Sequence, residues 1–180
     1  MRLPAARTAG DTMPPPITAA ARFGIAYRDE TDADRGFADG LYMASRAEEV
    51  AQSGWPAELQ HAFLAQQAEA QRTHYRLHYP KAEWLIVERD GTAVGRLYLE
   101  EWSREVRVID ISIAAASRGG GIGRAILEDV IADAASRAKA VSIHVEKYNP
   151  ARRLYERLGF AVIEDKGVYD LMETPPAPKP

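Results

Sequence analysis

The sequence predicts a mixed α/β domain, and three observations carry that prediction. Short apolar runs of strand type alternate along the chain with segments whose apolar positions recur at helical spacing. Asp90-Gly91 joins two of the runs as a two-residue hairpin turn. A largely apolar strand over residues 106–113 then passes through a glycine-rich turn into an amphipathic helix.

Each element has its own signal. Residues 23–28 read as a first strand. Thr31, with Asp34 three positions on, reads as a helix start, and Phe37 and Leu41 share the face that follows. Pro56 suits the first turn of a second helix, which carries Leu59, Ala62, Phe63 and Ala70 and is stopped by Pro80. Residues 84–89 and 93–100 are the hairpin strands, and 106–113 is the next strand. A helix over 124–139 places Ile126, Val130, Ile131, Ala134 and Ala138 on one stripe. Residues 141–145 form a short strand, 150–158 a short helix closed by Gly159, and two strands follow.

The bulk numbers bound the function. A chain of 180 residues is one domain with a sizeable core. Its expected limits are residues 23–174, between a mobile segment at 1–22, containing Pro14-Pro15-Pro16, and a mobile proline-rich tail at 175–180. A net charge of −3 offers no footprint for nucleic acid or an anionic membrane. The absence of cysteine excludes disulfides, thiolate metal sites and cysteine nucleophiles. No apolar run approaches the ~20 residues of a membrane span, and residues 1–22 lack the apolar stretch of a secretory signal. A cytoplasmic protein is the expectation.

The glycine turn is the most informative stretch. Arg118-Gly119-Gly120-Gly121-Ile122-Gly123-Arg124 opens a helix directly after a strand. Glycines let the backbone approach a ligand, and the first N–H groups of a helix have no internal partner. Such a turn suits a phosphate or pyrophosphate, with Arg118 and Arg124 adding charge. A P-loop is excluded because Arg124-Ala125, not Lys-Ser/Thr, follows Gly123. A dinucleotide fingerprint fails because Arg124 stands where its third glycine belongs.

About thirty residues on comes Asn149-Pro150-Ala151-Arg152-Arg153-Leu154-Tyr155-Glu156-Arg157-Leu158-Gly159-Phe160. Asn149, Pro150 and Gly159 are explained as helix-end residues, but a polar Tyr155 beside Leu154 is not. The R-x-x-G-x-G of Arg118, Gly121 and Gly123, followed by N-x-A-x-x-L-Y-x-x-x-G-F, resembles the two hallmarks of GNAT acetyltransferases. The resemblance covers roughly residues 82–172.

That resemblance implies a mixed central sheet of about six to seven strands flanked by about four helices. It implies acetyl-CoA as co-substrate, with the backbone of Ile111, Ser112 and Ile113 pairing with the pantetheine arm. Gly119, Gly120, Gly121, Ile122, Gly123 and Arg124, with Arg118, would hold the pyrophosphate. Asn149 would contact the pantetheine region, and Tyr155 would sit near the thioester. The implied activity is N-acetyl transfer to a primary amine of a small molecule or peptide; a non-catalytic acyl-CoA-binding module is the alternative. Dimerisation is common in the family.

Acyl transfer to an amine needs a neutral amine, a polarised carbonyl and a stabilised leaving thiolate. Tyr155 suits the last role as a general acid, the other reading being that it only walls the acyl pocket. His144, with Ser142 and Glu146 on its strand face, is the candidate base, where some family members carry a carboxylate. Asp110, an acid inside an apolar strand, is its rival, and for each the other reading is a structural hydrogen bond alone. His74 and His78 stand four apart on the second helix, but no H-E-x-x-H pattern or third ligand accompanies them, so no metal is expected.

Overall fold

The computed structural model of the chain describes residues 14–176. In chain order the elements are β1 (Ile25–Asp29), α1 (Arg35–Ala51), α2 (Ala57–His78), β2 (Glu83–Arg89), β3 (Thr92–Glu101) and β4 (Glu105–Ile113). Then come α3 (Ile122–Ser136), β5 (Ala140–Glu146), α4 (Arg152–Arg157), β6 (Ala161–Lys166) and β7 (Tyr169–Glu173). The strands form one mixed sheet of seven in the order β1-β2-β3-β4-β5-β7-β6, in which β4 and β5 are parallel and the other neighbours antiparallel. This is the expected fold class.

Local chemistry accounts for the element ends. Asp34 accepts the Thr31 N–H at 2.9 Å and two Arg28 donors at 2.7 Å, which starts α1 and ties it to β1. Asp90 and Gly91 both have positive φ, 50° and 77°, the geometry of a turn that matches the twist of its flanking strands. Helix α3 begins at Ile122, two residues before the expected start, because Ile122 is buried and Gly121 at φ 93° serves as the cap. It ends before Ala138, which takes φ 54° while Lys139 N–H bonds the Ala134 carbonyl at 3.0 Å. Ala138 therefore closes the helix and is not part of its stripe.

One sheet face packs on α3 and α4 through Leu85, Val87, Leu97, Val108, Ile126, Val130, Val141, Ile143 and Tyr155. Helices α1 and α2 pack on each other, and Arg96 of the opposite face reaches the Ala38 carbonyl of α1 at 3.1 Å. Helix α2 buries Leu64 and Ala68; Leu59, Ala62 and Ala70 are exposed and Phe63 is only half-buried. The expected apolar positions thus differ from the buried ones. A helix covering only the edge of a neighbour needs a narrow stripe, which its alanines and glutamines hide from the sequence.

The N-terminal expectation also changes. Ile17, Ala19 and Phe23 pack on the core, and Ala20 is fully buried in a 3-10 turn over Ala20–Phe23. A mobile segment therefore does not extend to residue 22. Residues 1–13 of that segment, and 177–180 of the proline-rich tail, lie outside the described residues. No helix among the described residues is long and apolar enough to cross a membrane.

Candidate active site

The site is built on a divergence of strands β4 and β5. They pair only where Glu105–Val108 meets Ala140–Ile143. Beyond that point β4 continues against β3 and β5 continues against β7, which leaves residues 109–113 and 144–146 facing a gap.

A bulge in β4 sets which side chains face which way. Tyr98 pairs with Asp110 and Leu99 with Val108, so Ile109 is an extra residue in the ladder. Before it, Val106 and Val108 point to the α3 face; after it, Ile111 and Ile113 do. Asp110 and Ser112 are thereby sent to the α1–α2 face beside Arg96. Without the bulge the carboxylate would point into the apolar core. The paired apolar residues Val108-Ile109, which break the strand alternation, are the sequence signal of this feature.

Successive peptide groups of a strand alternate sides, and here that separates the three expected pantetheine residues. The Ser112 carbonyl faces β3, where a β-carbon on Gly95 would lie 2.4 Å from it. Ala114 N–H also bonds β3, at Val94, so the preceding Ile113 carbonyl faces the gap and accepts Arg118 Nε at 2.7 Å. Ile111 shares the Ile113 orientation, and Ser112 does not.

The gap opens on a cleft of about 410 Å³ lined by Ile111 and Ile113, the turn residues Arg118, Gly119, Gly121, Ile122, Gly123 and Arg124, Leu127, and Ala151, Leu154, Tyr155 and Arg157 at α4. Gly119 and Gly121 have φ of 82° and 93°, a conformation that a side chain strains. The N–H groups of residues 119–124 donate to no backbone oxygen among the described residues. Gly120 is open, with nothing within 4 Å of a β-carbon placed on it. Six unpartnered donors at a helix start, flanked by Arg118 and Arg124, fit a pyrophosphate. Arg124 also bonds Glu128 at 2.8 Å.

Asn149 accepts the Ala151 N–H at 2.9 Å on its side-chain oxygen, so it shapes the entry to α4. Tyr155 points from α4 into the cleft wall, only 6% exposed, with its ring 5.7 Å from that of Phe160. Burial, and then the nearby Asp110 charge, push its hydroxyl up to about 12. It is a neutral donor at physiological pH.

The two base candidates lie on the opposite face from Tyr155. Asp110 accepts Arg96 Nη2 at 2.9 Å, Arg96 Nε at 3.2 Å and Ser112 Oγ at 2.7 Å. Three donors, two of them from one guanidinium, leave it a counter-ion. His144 is partly exposed, next to the gap, with Nδ1 3.2 Å from Arg107 Nη1. Burial and then the Arg107 charge hold its pKa below the usual imidazole value. A guanidinium only donates, so Nδ1 accepts and the neutral ring carries its proton on Nε2. Arg107 is itself fixed by Ser142 Oγ and Glu105 at 2.7 Å each. His74 and His78 stack with ring centroids 4.0 Å apart on exposed α2.

The comparisons with known proteins agree with this fold. Similar solved structures include the PaiA N-acetyltransferase of Thermoplasma acidophilum in complex with coenzyme A. It is 13% identical with a TM-score of 0.62, over 84% of this chain and 98% of that one. A histone acetyltransferase HPA2 and related acetyltransferase from Corynebacterium glutamicum is 21% identical, TM-score 0.59, over 87% and 98%. A GNAT family acetyltransferase from Elizabethkingia anophelis with acetyl-CoA bound is 17% identical, TM-score 0.53, over 84% and 98%. At such identities these structures establish the fold. A family model described as the acetyltransferase (GNAT) family matches residues 27–160, most of the chain, and the protein belongs to that family of acetyltransferases.

Proposed function

We propose that this acetyltransferase moves an acetyl group from acetyl-CoA to a primary amine of a small molecule or peptide, by direct attack in a ternary complex. One observation carries the reading: the gap between β4 and β5 joins the unpartnered N–H groups of the glycine turn to the hydroxyl of a buried tyrosine. The coenzyme A and acetyl-CoA in the Thermoplasma and Elizabethkingia structures support it.

Bound acetyl-CoA supplies the activated thioester. The glycine turn binds its pyrophosphate, and the gap-facing backbone of Ile111 and Ile113 orients the arm. Tyr155 donates a hydrogen bond to sulfur as negative charge develops there. Full transfer from a phenol at about 12 to a thiolate of ordinary pKa, ~8.5, would cost about 5 kcal/mol. Stabilisation of the thiolate by the hydrogen bond is therefore the larger part of its role.

His144 is the better base candidate. It is neutral at pH 7 and beside the gap, whereas Asp110 is held by three donors. It takes the amine proton at Nδ1, as the Arg107 contact opens.

A melting-temperature screen with acetyl-CoA and longer acyl-CoAs, then CoA release over an amine panel, tests the reading. Ligand at a hundred times its dissociation constant stabilises by ~2.7 kcal/mol. No shift at millimolar acyl-CoA sinks the cofactor assignment. Binding without turnover on any amine leaves a non-catalytic acyl-CoA-binding module.

A further inference from the structure

The carboxylate of Asp129, on α3 and only 3% exposed, accepts three backbone N–H groups: Thr18 at 3.1 Å, Ala19 at 2.6 Å and Ala20 at 3.0 Å. A buried carboxylate needs such partners, so the N-terminal turn and α3 hold each other. From there the chain runs back along α3. Asp129 lies eight residues, roughly 12 Å, below Gly121. The turn ends at Phe23, whose Cζ is 3.5 Å from the position of a β-carbon on Gly121. The Arg22 guanidinium sits 4.9 Å from the centre of the same ring. Gly24, at φ 66°, then leads into β1, and its carbonyl accepts the Asp90 N–H at 3.1 Å.

Elsewhere the glycine turn has little to hold it. Nothing lies within 4 Å of a β-carbon placed on Gly119 or Gly120, and Phe23 is the one such neighbour of Gly121 among the described residues. A free run of glycines samples both signs of φ, and a ligand must then order it on binding. A ring that would touch a Gly121 β-carbon bounds the turn on that side and removes part of that freedom beforehand.

We infer that residues 17–24 form a brace for the phosphate-binding turn, in which Asp129 is the anchor and Phe23 the positioning residue for CoA. The inference rests on the assignment of the glycine turn to the pyrophosphate. Both residues act through Gly121 rather than on the reacting atoms. Two consequences distinguish a brace from a purely structural contact. Its loss weakens ligands that carry the pyrophosphate and spares those that lack it. By reciprocity of coupling, CoA must also steady the turn.

The experiment measures the affinity of Phe23→Ala for CoA and for S-acetylpantetheine, which has no pyrophosphate. The expected result is a CoA dissociation constant about tenfold higher, equivalent to ~1.4 kcal/mol. S-acetylpantetheine binding and kcat at saturating acetyl-CoA stay near wild type, and Phe23→Leu recovers part of the loss. In the wild-type protein, CoA should slow hydrogen exchange at the Thr18, Ala19 and Ala20 amides; this arm stands even if the variant folds poorly. Equal weakening of both ligands, unchanged CoA affinity in a folded Phe23→Ala, or unchanged exchange at those amides overturns the brace. Wild-type protein that binds no CoA overturns the functional reading instead.

Discussion

Replacing Tyr155 by Phe removes one oxygen from the cleft and leaves the ring against Phe160. The fold should tolerate this. No side-chain hydrogen bond engages the hydroxyl among the described residues, so its loss strands no partner, and stability should change by less than about 0.5 kcal/mol. The rate should not tolerate it. A hydrogen bond to a charged group is worth about 1.5–3 kcal/mol. At 1.36 kcal/mol per decade, losing it at the leaving thiolate slows kcat by roughly 10–150-fold. The dissociation constant for acetyl-CoA should move little, because the thioester sulfur in the ground state carries no charge to stabilise. Single-turnover CoA release, with calorimetry for binding, separates the two quantities. An unchanged single-turnover rate would refute the hydrogen bond to the leaving thiolate and leave Tyr155 as a wall of the acyl pocket. A large rise in the dissociation constant with unchanged kcat would place the hydroxyl on bound cofactor rather than on the transition state.

Three further outcomes follow from the geometry. Gly121→Val forces a β-branched residue into φ 93°, and CoA binding should be lost from a protein that still folds; wild-type affinity, read by melting shift, contradicts the turn assignment. His144→Gln should lower turnover and remove the acidic limb of the pH–rate profile. That limb is expected below pH 6.5, since burial and Arg107 disfavour the imidazolium and the rate falls only as the ring protonates. Arg107→Gln removes the charge and should move the limb upward; a limb that stays in place in both variants excludes His144 as the base. Gly95→Ala sets a β-carbon 2.4 Å from the Ser112 carbonyl and 2.8 Å from Ile113 Cδ1, so β3 and β4 must shift beneath the cleft. Acetyl-CoA affinity should fall together with the melting temperature, and an unchanged pair of values would show that the strands separate without cost.

The sequence by itself determined what short-range chemistry encodes. The Thr31–Asp34 cap, the Asp90-Gly91 hairpin and the glycine turn between strand and helix each depend on residues a few positions apart, and each is where the residue pattern puts it. The order of elements follows, and with it the fold class. Tyr155 was legible as a site candidate because a hydroxyl on a buried helix face has no packing reason to be there. Even so, the alternation of β4 was readable only in part: Val108-Ile109 marks the bulge, but two adjacent apolar residues signal a bulge weakly in a strand covered on both faces.

Only the tertiary structure decided what each polar group does. Asp110 became the counter-ion of Arg96, fourteen residues away. The His144 ring met Arg107 across the parallel β4–β5 pair, 37 residues away, and this contact selects its tautomer. The N-terminal turn found Asp129 at a separation of 109 residues, and Phe23 reached the glycine turn through it. The physical reason is common to all three. A lone carboxylate, imidazole or alanine-rich turn carries no local preference for its partner, and the pairing exists only after β-sheet register and helix packing bring the groups together. Residue type thus announced which groups were able to do chemistry, whereas distance in the folded chain settled which of them are free to do it.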